Sequence, residues 1–582
     1  MVVRTALVGL VVGLTCCASS PSPEGAGSAA SQAGGRGRGP FRDHVLKANV
    51  HIPMRDGKSL AADVWMPRKE GRVPAILFMT PYSRKNAGAP MPDKNLELEL
   101  PDVADYATVL VDWRGFFGSR KAGAPTEGID QHGQDGHDVV EWIAAQSWSD
   151  GKVAMWGASG PGRVQFAVAA TKPPHLVAIA PLVAADGFYY DMFYHGGVLR
   201  KAYVDMLGTV GFGAQHRARQ APATENDFWQ KIEETTAHTE KIDVPVLMIS
   251  GWYDLSVDSI LDTFVALRRG GGPRTGKTIK LFIGPWVHVS LGKRRQGDLE
   301  FPEAEGVSAA LSTQFFDHYV RGEKNGWDQH ALFTYLRMGR NEWHASDRFP
   351  PKTGGTTRFY LAEEAGLSEI APESRRGSVS FVYDPEDPAP TIGGMTAFIG
   401  VDPNYERVGS GPRDQRPVLK RKDTVVFTSP VLERDVVLEG HALAKLFVSS
   451  NRVDTDVAVR LADVYPDERS ILITDGIQRT RFREGARESL MKPGEIYQVE
   501  VKLFITAHTF QKGHRIQIIV SSSNYPMFDL NHNVDRPRLL GPKSVEAENA
   551  IHFDRDHPSE LSLPRWADVE RLDPTLIEPL RR

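Results

Sequence analysis

The chain has 582 residues, of which 41% are hydrophobic and 24% are charged, and this composition excludes a mainly disordered or collagen-like protein. The formal net charge is −4, so the sequence lacks the excess of basic residues that is typical of nucleic-acid-binding proteins. The two cysteines, Cys16 and Cys17, are adjacent, so the rest of the chain offers no disulfide framework, thiolate zinc site or cysteine nucleophile.

The first 17 residues have the pattern of an export signal. An apolar run over residues 6–14 follows a basic residue and is far shorter than the about 20 residues that a membrane span needs. Residues 1–17 therefore predict a signal peptide and an exported protein: secreted, periplasmic or anchored at the cell envelope. The residues around Cys17 resemble a bacterial lipobox and predict its lipidation, with plain secretion as the alternative. Residues 18–40, rich in Gly, Ser, Ala and Pro, predict a flexible tether.

From residue 41 onward, strand-like and helix-like patterns alternate. An Asp-Gly turn separates two predicted strands within residues 50–67. Further apolar runs predict strands over residues 73–82, 107–115, 152–160, 244–254 and 278–288. Helical spacing of apolar residues predicts helices over 135–146 and 259–267. Strands that alternate with helices favour a parallel α/β sheet.

Two intervals depart from this alternation. Residues 185–240 contain aromatic clusters and amphipathic stretches without a clear strand, and we interpret them as a helical cap inserted over the sheet. From residue 346 to 582, short β-branched runs separated by turn residues predict an antiparallel sandwich or jelly roll. The α/β domain is then split into residues 41–184 and 241–345.

One predicted strand ends in a glycine-lined serine. In the segment 157–162 (GASGPG), Ser159 lies where strand and helix meet, a turn typical of the nucleophile elbow of α/β-hydrolases. The strict G-x-S-x-G pattern is not met, because Pro161 takes the second position after the serine. Proline fits there if it lies in the first turn of the following helix, where its missing N–H costs nothing. The backbone N–H of Gly160 is then one expected oxyanion donor.

Two further strand ends carry Asp254 and His288. The chain order Ser, Asp, His is the one expected for an α/β-hydrolase triad. In that triad His288 accepts the proton of the Ser159 hydroxyl, and Asp254 fixes the imidazole tautomer. A second oxyanion donor should come from a loop after an earlier strand, where Tyr82 lies.

These residues resemble the X-prolyl dipeptidyl peptidase and cocaine esterase family, which also contains α-amino-acid ester hydrolases. The resemblance covers about residues 45–540 and includes motifs at 52–57, 81–82, 111–119, 157–162, 251–254, 284–288, 383–394, 454–467 and 512–526. It implies an α/β-hydrolase domain with a helical cap insertion, followed by a C-terminal all-β jelly-roll domain. It also implies that the Tyr82 hydroxyl donates to the oxyanion.

Departures from the family pattern bear on the substrate. Relatives usually have a tyrosine directly after the nucleophile, where this chain has Gly160. The α-amino-acid ester hydrolases have carboxylates two and three residues after the triad aspartate, where this chain has Ser256 and Val257. α-Amino substrates are therefore disfavoured, unless Asp191 or Asp258 supplies the missing carboxylate.

We therefore predict an exported serine hydrolase that cleaves an ester or amide bond of a small acyl substrate, with no metal, other cofactor or nucleic-acid partner. The predicted aromatic pocket lining is Phe116, Phe188, Tyr189, Phe193, Trp252 and Trp286. An exopeptidase that releases Xaa-Pro dipeptides and a catalytically weak surface binding protein are the alternatives. The oligomeric state stays open.

Overall fold

A computed structural model describes residues 41, 43–85, 99–124, 129–187, 189–209, 215–396, 409–535, 544–573, 577 and 580. The predicted signal peptide, the tether, Cys17 and the predicted pocket residue Phe188 lie outside the described residues. Within the described part, none of the helices combines the length and apolar composition that crossing a membrane requires.

In the first part of the hydrolase domain, the described residues form six strands and two α-helices. They are β1 (His44–Pro53), β2 (Ser59–Pro67), β3 (Val73–Thr80), β4 (Ala107–Asp112), α1 (Ile129–Ala144), β5 (Ser149–Ala158), α2 (Gly160–Ala170) and β6 (Leu176–Leu182). β1 and β2 form the predicted hairpin, and β3 pairs in parallel with both β4 and β5. Strand β6 was not among the predicted strands.

The cap follows β6 and is mainly helical. It contains α3 (Tyr190–Phe193), β7 (Tyr194–His195), β8 (Val198–Leu199), α4 (Lys201–Thr209), α5 (Gln215–Gln220) and α6 (Asp227–Thr236). The two-residue strands β7 and β8 form a small hairpin that the sequence did not predict.

The second part of the hydrolase domain completes the sheet. It contains β9 (Leu247–Tyr253), α7 (Val257–Gly270), α8 (Pro273–Thr278), β10 (Lys280–Val287), β11 (Arg295–Gln296), β12 (Leu299–Glu300), α9 (Val307–Tyr319), β13 (Phe333–Arg337) and β14 (Glu342–Ser346). The strand order β1-β2-β4-β3-β5-β6-β9-β10-β13-β14 has a parallel centre from β4 to β13 with antiparallel strands at both edges. The predicted α/β-hydrolase architecture is confirmed.

The C-terminal domain is almost entirely β. Its elements are β15 (Thr353–Ala362), β16 (Gly366–Ser368), β17 (Ser378–Tyr383), α10 (Arg416–Leu419), β18 (Thr424–Thr428), β19 (Val436–Gly440), β20 (Leu443–Ser450), β21 (Asp456–Val464), β22 (Ser470–Arg479), β23 (Tyr497–Lys502), β24 (Thr506–Phe510), β25 (Arg515–Ser521), β26 (Ala547–His552) and β27 (Glu560–Trp566). They pair almost entirely antiparallel around a core of their own.

The last strand corrects the predicted extent of the jelly roll, which was 346–582. Strand β28 (Glu570–Arg571) pairs with β14 and so belongs to the hydrolase sheet. Beyond it, Ile577 and Leu580 are buried in the hydrolase core. The jelly roll thus ends with β27, and the chain returns to the first domain.

Candidate active site

Ser159 lies in a strained turn between β5 and α2. Its backbone φ is +62° and ψ is −121°, a region that side chains rarely adopt and that is common at active sites. The turn depends on the flanking glycines: a Cβ on Gly157 would lie 2.5 Å from the Cβ of Pro161, and one on Gly162 would lie 2.6 Å from Ala184. Pro161 is in the first turn of α2, as predicted.

Three polar groups converge at this turn. The Tyr82 hydroxyl lies 3.4 Å from the Ser159 Oγ, and the backbone N–H of Gly160 interacts with the same hydroxyl. Burial raises the pKa of the Tyr82 phenol, so it remains protonated and can donate a hydrogen bond at neutral pH. The Tyr82 hydroxyl therefore lies beside the Ser159 oxygen, and the N–H of Gly160, the next residue in the chain, lies beside that hydroxyl.

Asp254 and His288 meet at the ends of β9 and β10. His288 Nδ1 lies 2.7 Å from Asp254 Oδ2, and the Asp254 side chain has no exposed surface. The other carboxylate oxygen accepts the backbone N–H of Ser256 at 2.7 Å. An imidazole whose Nδ1–H is donated to a carboxylate keeps its Nε2 as the basic nitrogen.

The aromatic residues next to this pair lie in the core. A Cβ on Gly251 would lie 1.9 Å from the Trp286 carbonyl oxygen, so this glycine lets β9 and β10 pack closely. Trp252 and Trp286 have no exposed surface, and the Trp252 indole donates to the Leu336 carbonyl at 2.8 Å. With no surface to offer a ligand, these two tryptophans are core residues in this structure rather than the predicted pocket wall.

The other predicted pocket aromatics among the described residues, Phe116, Tyr189 and Phe193, are buried at the cap and in the loop after β4. Phe193 packs between Tyr203 and Trp229, with ring centroids 5.8 and 5.6 Å away. The Tyr189 hydroxyl lies 3.1 Å from the Thr263 Oγ1. Phe116 packs edge-on against Trp113, with ring centroids 6.1 Å apart.

Two residues that the sequence analysis missed connect the cap to the site, one in the cap and one in α2. Tyr203 of α4 is within electrostatic range of both Tyr82 and Asp254, and burial raises the pKa of its phenol. Arg163 of α2 donates hydrogen bonds to the Gly187 carbonyl and, at 3.4 Å, to a methionine sulfur of the cap. Nothing in the sequence around Tyr203 distinguishes it from an ordinary apolar-face residue of α4.

A cluster of three aspartates lies where the cap meets α7 and the jelly roll. Burial and the negative charge of Asp258 raise the pKa of the Asp191 carboxyl to about 7. Asp258 is itself 3.2 Å from His441 of the jelly roll, and Asp262 adds a further negative charge. Among the described residues, no group of three or more His, Cys, Asp or Glu side chains is arranged to hold a metal ion.

Comparisons with known proteins identify the family. The sequence matches the X-Pro dipeptidyl-peptidase (S15) family over residues 56–224 and 213–290, and the X-Pro dipeptidyl-peptidase C-terminal non-catalytic domain over 325–562. It is 32% identical to cocaine esterase from Rhodococcus sp. (strain MB1 Bresler), an alignment that covers 90% of this chain and 99% of that protein. The chain belongs to the X-Pro dipeptidyl-peptidase and cocaine esterase family of serine hydrolases. The predicted family and enzyme class are thereby confirmed.

Two solved structures have a similar fold over more than nine-tenths of this chain. An aminopeptidase from the marine sediment archaeon Thaumarchaeota archaeon superposes with a TM-score of 0.75 at 22% identity, covering 93% of this chain and 99% of that one. An α-amino acid ester hydrolase gives a TM-score of 0.74 at 22% identity, covering 94% of this chain and 100% of that one. At these identities the likeness shows the shared fold.

Proposed function

We propose that this serine hydrolase cleaves an ester or amide bond of a small acyl substrate, with Ser159, His288 and Asp254 as its catalytic triad. One observation carries the proposal. The Ser159 oxygen lies in a strained elbow beside two hydrogen-bond donors, while the Asp254–His288 pair ends two strands of the same parallel sheet. Catalytic residues of α/β-hydrolases are delivered to the carboxyl edge of the sheet in this way.

The residues then have separate roles in the proposed reaction. His288 Nε2 accepts the hydroxyl proton as the Ser159 oxygen attacks the acyl carbon, and later gives that proton to the leaving group. Asp254 orients the imidazole and stabilises its protonated form. Negative charge on the acyl oxygen is stabilised by the Tyr82 O–H and the Gly160 N–H. Water hydrolyses the acyl-enzyme by the same route.

A serine-to-alanine variant tests the proposal. Ser159→Ala should reduce hydrolysis of p-nitrophenyl acetate to background and abolish labelling by a fluorophosphonate probe, with an unchanged melting temperature. Ser378→Ala, an exposed serine of β17, is the matched control and should keep full activity. Turnover retained in Ser159→Ala would refute the triad. A folded wild-type protein that fails to label would favour the alternative of a catalytically weak surface binding protein.

A second candidate substrate class carries a free amine, as in release of Xaa-Pro dipeptides. It is favoured by Asp191, whose carboxylate has no hydrogen bond or ion pair among the described residues and lies near Asp258 and Asp262. These acids could pair with a substrate ammonium. Comparing Ala-Pro-p-nitroanilide with its N-acetylated form decides the question. Faster cleavage of the free amine, lost in Asp191→Asn, would support the exopeptidase; equal rates would exclude amine recognition.

We also propose that the protein is exported and that Cys17 is lipidated. The support is the apolar run followed by a lipobox-like sequence. Metabolic labelling with a fatty acid should mark the wild-type protein and not Cys17→Ser. An unlabelled, fully secreted wild-type protein would instead indicate plain secretion.

A further inference from the structure

The loop that carries Tyr82 is fixed to the sheet by a buried arginine two residues further along. The Arg84 backbone N–H donates to Asp112 Oδ1 at 2.7 Å, and its guanidinium bonds the other oxygen of the same carboxylate. The side chains are 4% and 0% exposed, respectively. Asp112 ends β4, the strand next to β3, from which the Tyr82 loop starts.

The same guanidinium has two more polar partners on neighbouring strands, an ion pair with Asp63 and a hydrogen bond to Asn49. Its Nε lies 3.2 Å from Asp63 of β2, and its Nη2 donates to the Asn49 side-chain carbonyl of β1 at 2.6 Å. Arg84 therefore connects three strands through one planar group. A lysine ammonium cannot reproduce this fork of donors.

Tyr82 is also held on its other side. Its backbone N–H donates to the Thr80 hydroxyl at 2.9 Å, and Ser83, between Tyr82 and Arg84, has a φ of +75°. A strained backbone of this kind persists only where the surrounding contacts over-determine it. The phenol is thus carried on a short segment with an anchor at each end.

We propose that Arg84 is a positioning residue that sets the Tyr82 hydroxyl against the Ser159 oxygen. This inference rests on the proposed function, in which Tyr82 is an oxyanion donor. Such a donor must lie about 2.7–3.1 Å from the developing charge, with its position held to within about 0.5 Å. Among the described residues the buried Arg84 side chain bonds Asp112, Asp63 and Asn49 and not Ser159, so we infer that it acts through the segment that it anchors.

A double-mutant cycle separates this role from simple stabilisation of the fold. Arg84→Lys keeps the charge but loses the fork, so it should lower kcat about 10-fold or more while KM changes less than about 2-fold. In a Tyr82→Phe background, the same substitution should change kcat by less than about 2-fold, because no hydroxyl remains to be misplaced. Equal losses in both backgrounds would overturn the proposal.

Two further variants control for a general loss of stability and for the case in which Arg84→Lys does not fold. Arg481→Lys alters another buried arginine, 2.8 Å from Asp454 in the jelly roll, and should lower the melting temperature without changing kcat. If Arg84→Lys does not fold, Asn49→Gly removes one acceptor of Arg84 and still permits the φ of +54° observed there. It should lower kcat several-fold only where Tyr82 is present; the same loss in Tyr82→Phe would overturn the inference.

Failure of the proposed function would look different from failure of this inference. Activity retained in Ser159→Ala would remove the triad itself. Full activity in Tyr82→Phe, with Ser159→Ala inactive, would leave the hydrolase in place and refute the positioning role, because its target would not be a donor. If the losses in kcat caused by Arg84→Lys and Tyr82→Phe simply add in the double variant, the positioning role of Arg84 is refuted and the donor role of Tyr82 is retained.

Discussion

Both oxygens of the Asp254 carboxylate accept a hydrogen bond, so a replacement with a single oxygen can satisfy only one of the two donors. One oxygen faces the His288 imidazole at 2.7 Å and the other accepts the Ser256 N–H at 2.7 Å. An asparagine has only one oxygen. If that oxygen faces Ser256, its amide N–H₂ faces His288 and demands the wrong imidazole tautomer.

We therefore predict that Asp254→Asn lowers kcat for p-nitrophenyl acetate by about 10³–10⁴, a loss of the size found when a triad aspartate is made neutral. The fold should be retained, because the bond to Ser256 survives. Steady-state kinetics together with circular dichroism check this. A kcat within about 10-fold of wild type would mean that Asp254 does not orient the catalytic imidazole.

Gly160, where relatives usually have tyrosine, is in contact with the oxyanion loop. A Cβ at this position would lie 3.1 Å from both Pro81 Cγ and the Tyr82 hydroxyl. We predict that Gly160→Ala lowers kcat about 3- to 10-fold, since the anchored Tyr82 loop has little room to shift. The melting temperature should stay nearly constant. An unchanged kcat would show that the Tyr82 hydroxyl tolerates displacement.

The sequence predicts the site residues that end apolar strands better than those that line a pocket. Ser159, Asp254 and His288 are polar residues directly after apolar runs, an unusual pattern that the parallel sheet explains. Trp252 has the same local surroundings as a pocket aromatic, yet it lies wholly in the core. Whether an aromatic side chain faces a cleft depends on the neighbouring strand, which local sequence does not encode.

At the scale of elements, the two ends of the cap are held together by charge. His238, after α6, donates its backbone N–H to Asp186 at 2.6 Å, and its ring bonds Asp186 and Asp130 at 3.2 and 2.7 Å. Burial alone would lower the pKa of His238, but the two carboxylates outweigh it and raise this pKa to about 9. The protonated ring thus joins the two ends of the cap to each other and to α1.

This bridge predicts a pH-dependent stability. The folded pKa of His238 exceeds its unfolded value of about 6.5, so its contribution is complete below pH 6.5 and is lost as the pH rises through 9. The stability advantage of wild type over His238→Gln should shrink by on the order of 1–3 kcal/mol between pH 6 and 9.5. Urea denaturation at each pH measures it. His175→Gln, at an exposed site, is the control; a constant difference would exclude the bridge.

The strands that the sequence did not predict were missed for two different reasons. Strand β6 is a short continuous apolar run, and such a run fits a buried strand or a buried helix equally well. Strands β13 and β14 lie just before the predicted start of the jelly roll. Because the sequence becomes strand-rich near this point, nothing in it indicated that these two strands belong to the first sheet. The cap, by contrast, was predicted because its aromatic composition differs from that of its neighbours.

At the scale of the whole molecule, the two domains share apolar packing. Phe504 of the jelly roll is buried with the hydrolase core and packs 4.2 Å from the His195 ring of the cap. The Tyr253 hydroxyl, next to Asp254, donates to the Leu472 carbonyl of β22 at 2.9 Å. The pattern of strands and helices along the chain predicted two domains; the shared packing depends on surface shape, which that pattern does not encode.

Shared packing predicts that the domains unfold together, and the tryptophans make this testable. Of eleven tryptophans, all but Trp566 precede residue 346, so tryptophan fluorescence reports mainly on the hydrolase domain. Phe427→Ala removes a ring from the jelly roll's own core and should cost about 3–5 kcal/mol. If unfolding is cooperative, the fluorescence and far-ultraviolet circular dichroism midpoints should fall by the same amount. A fluorescence midpoint that stays at the wild-type value while a separate β transition moves down would show that the domains unfold independently.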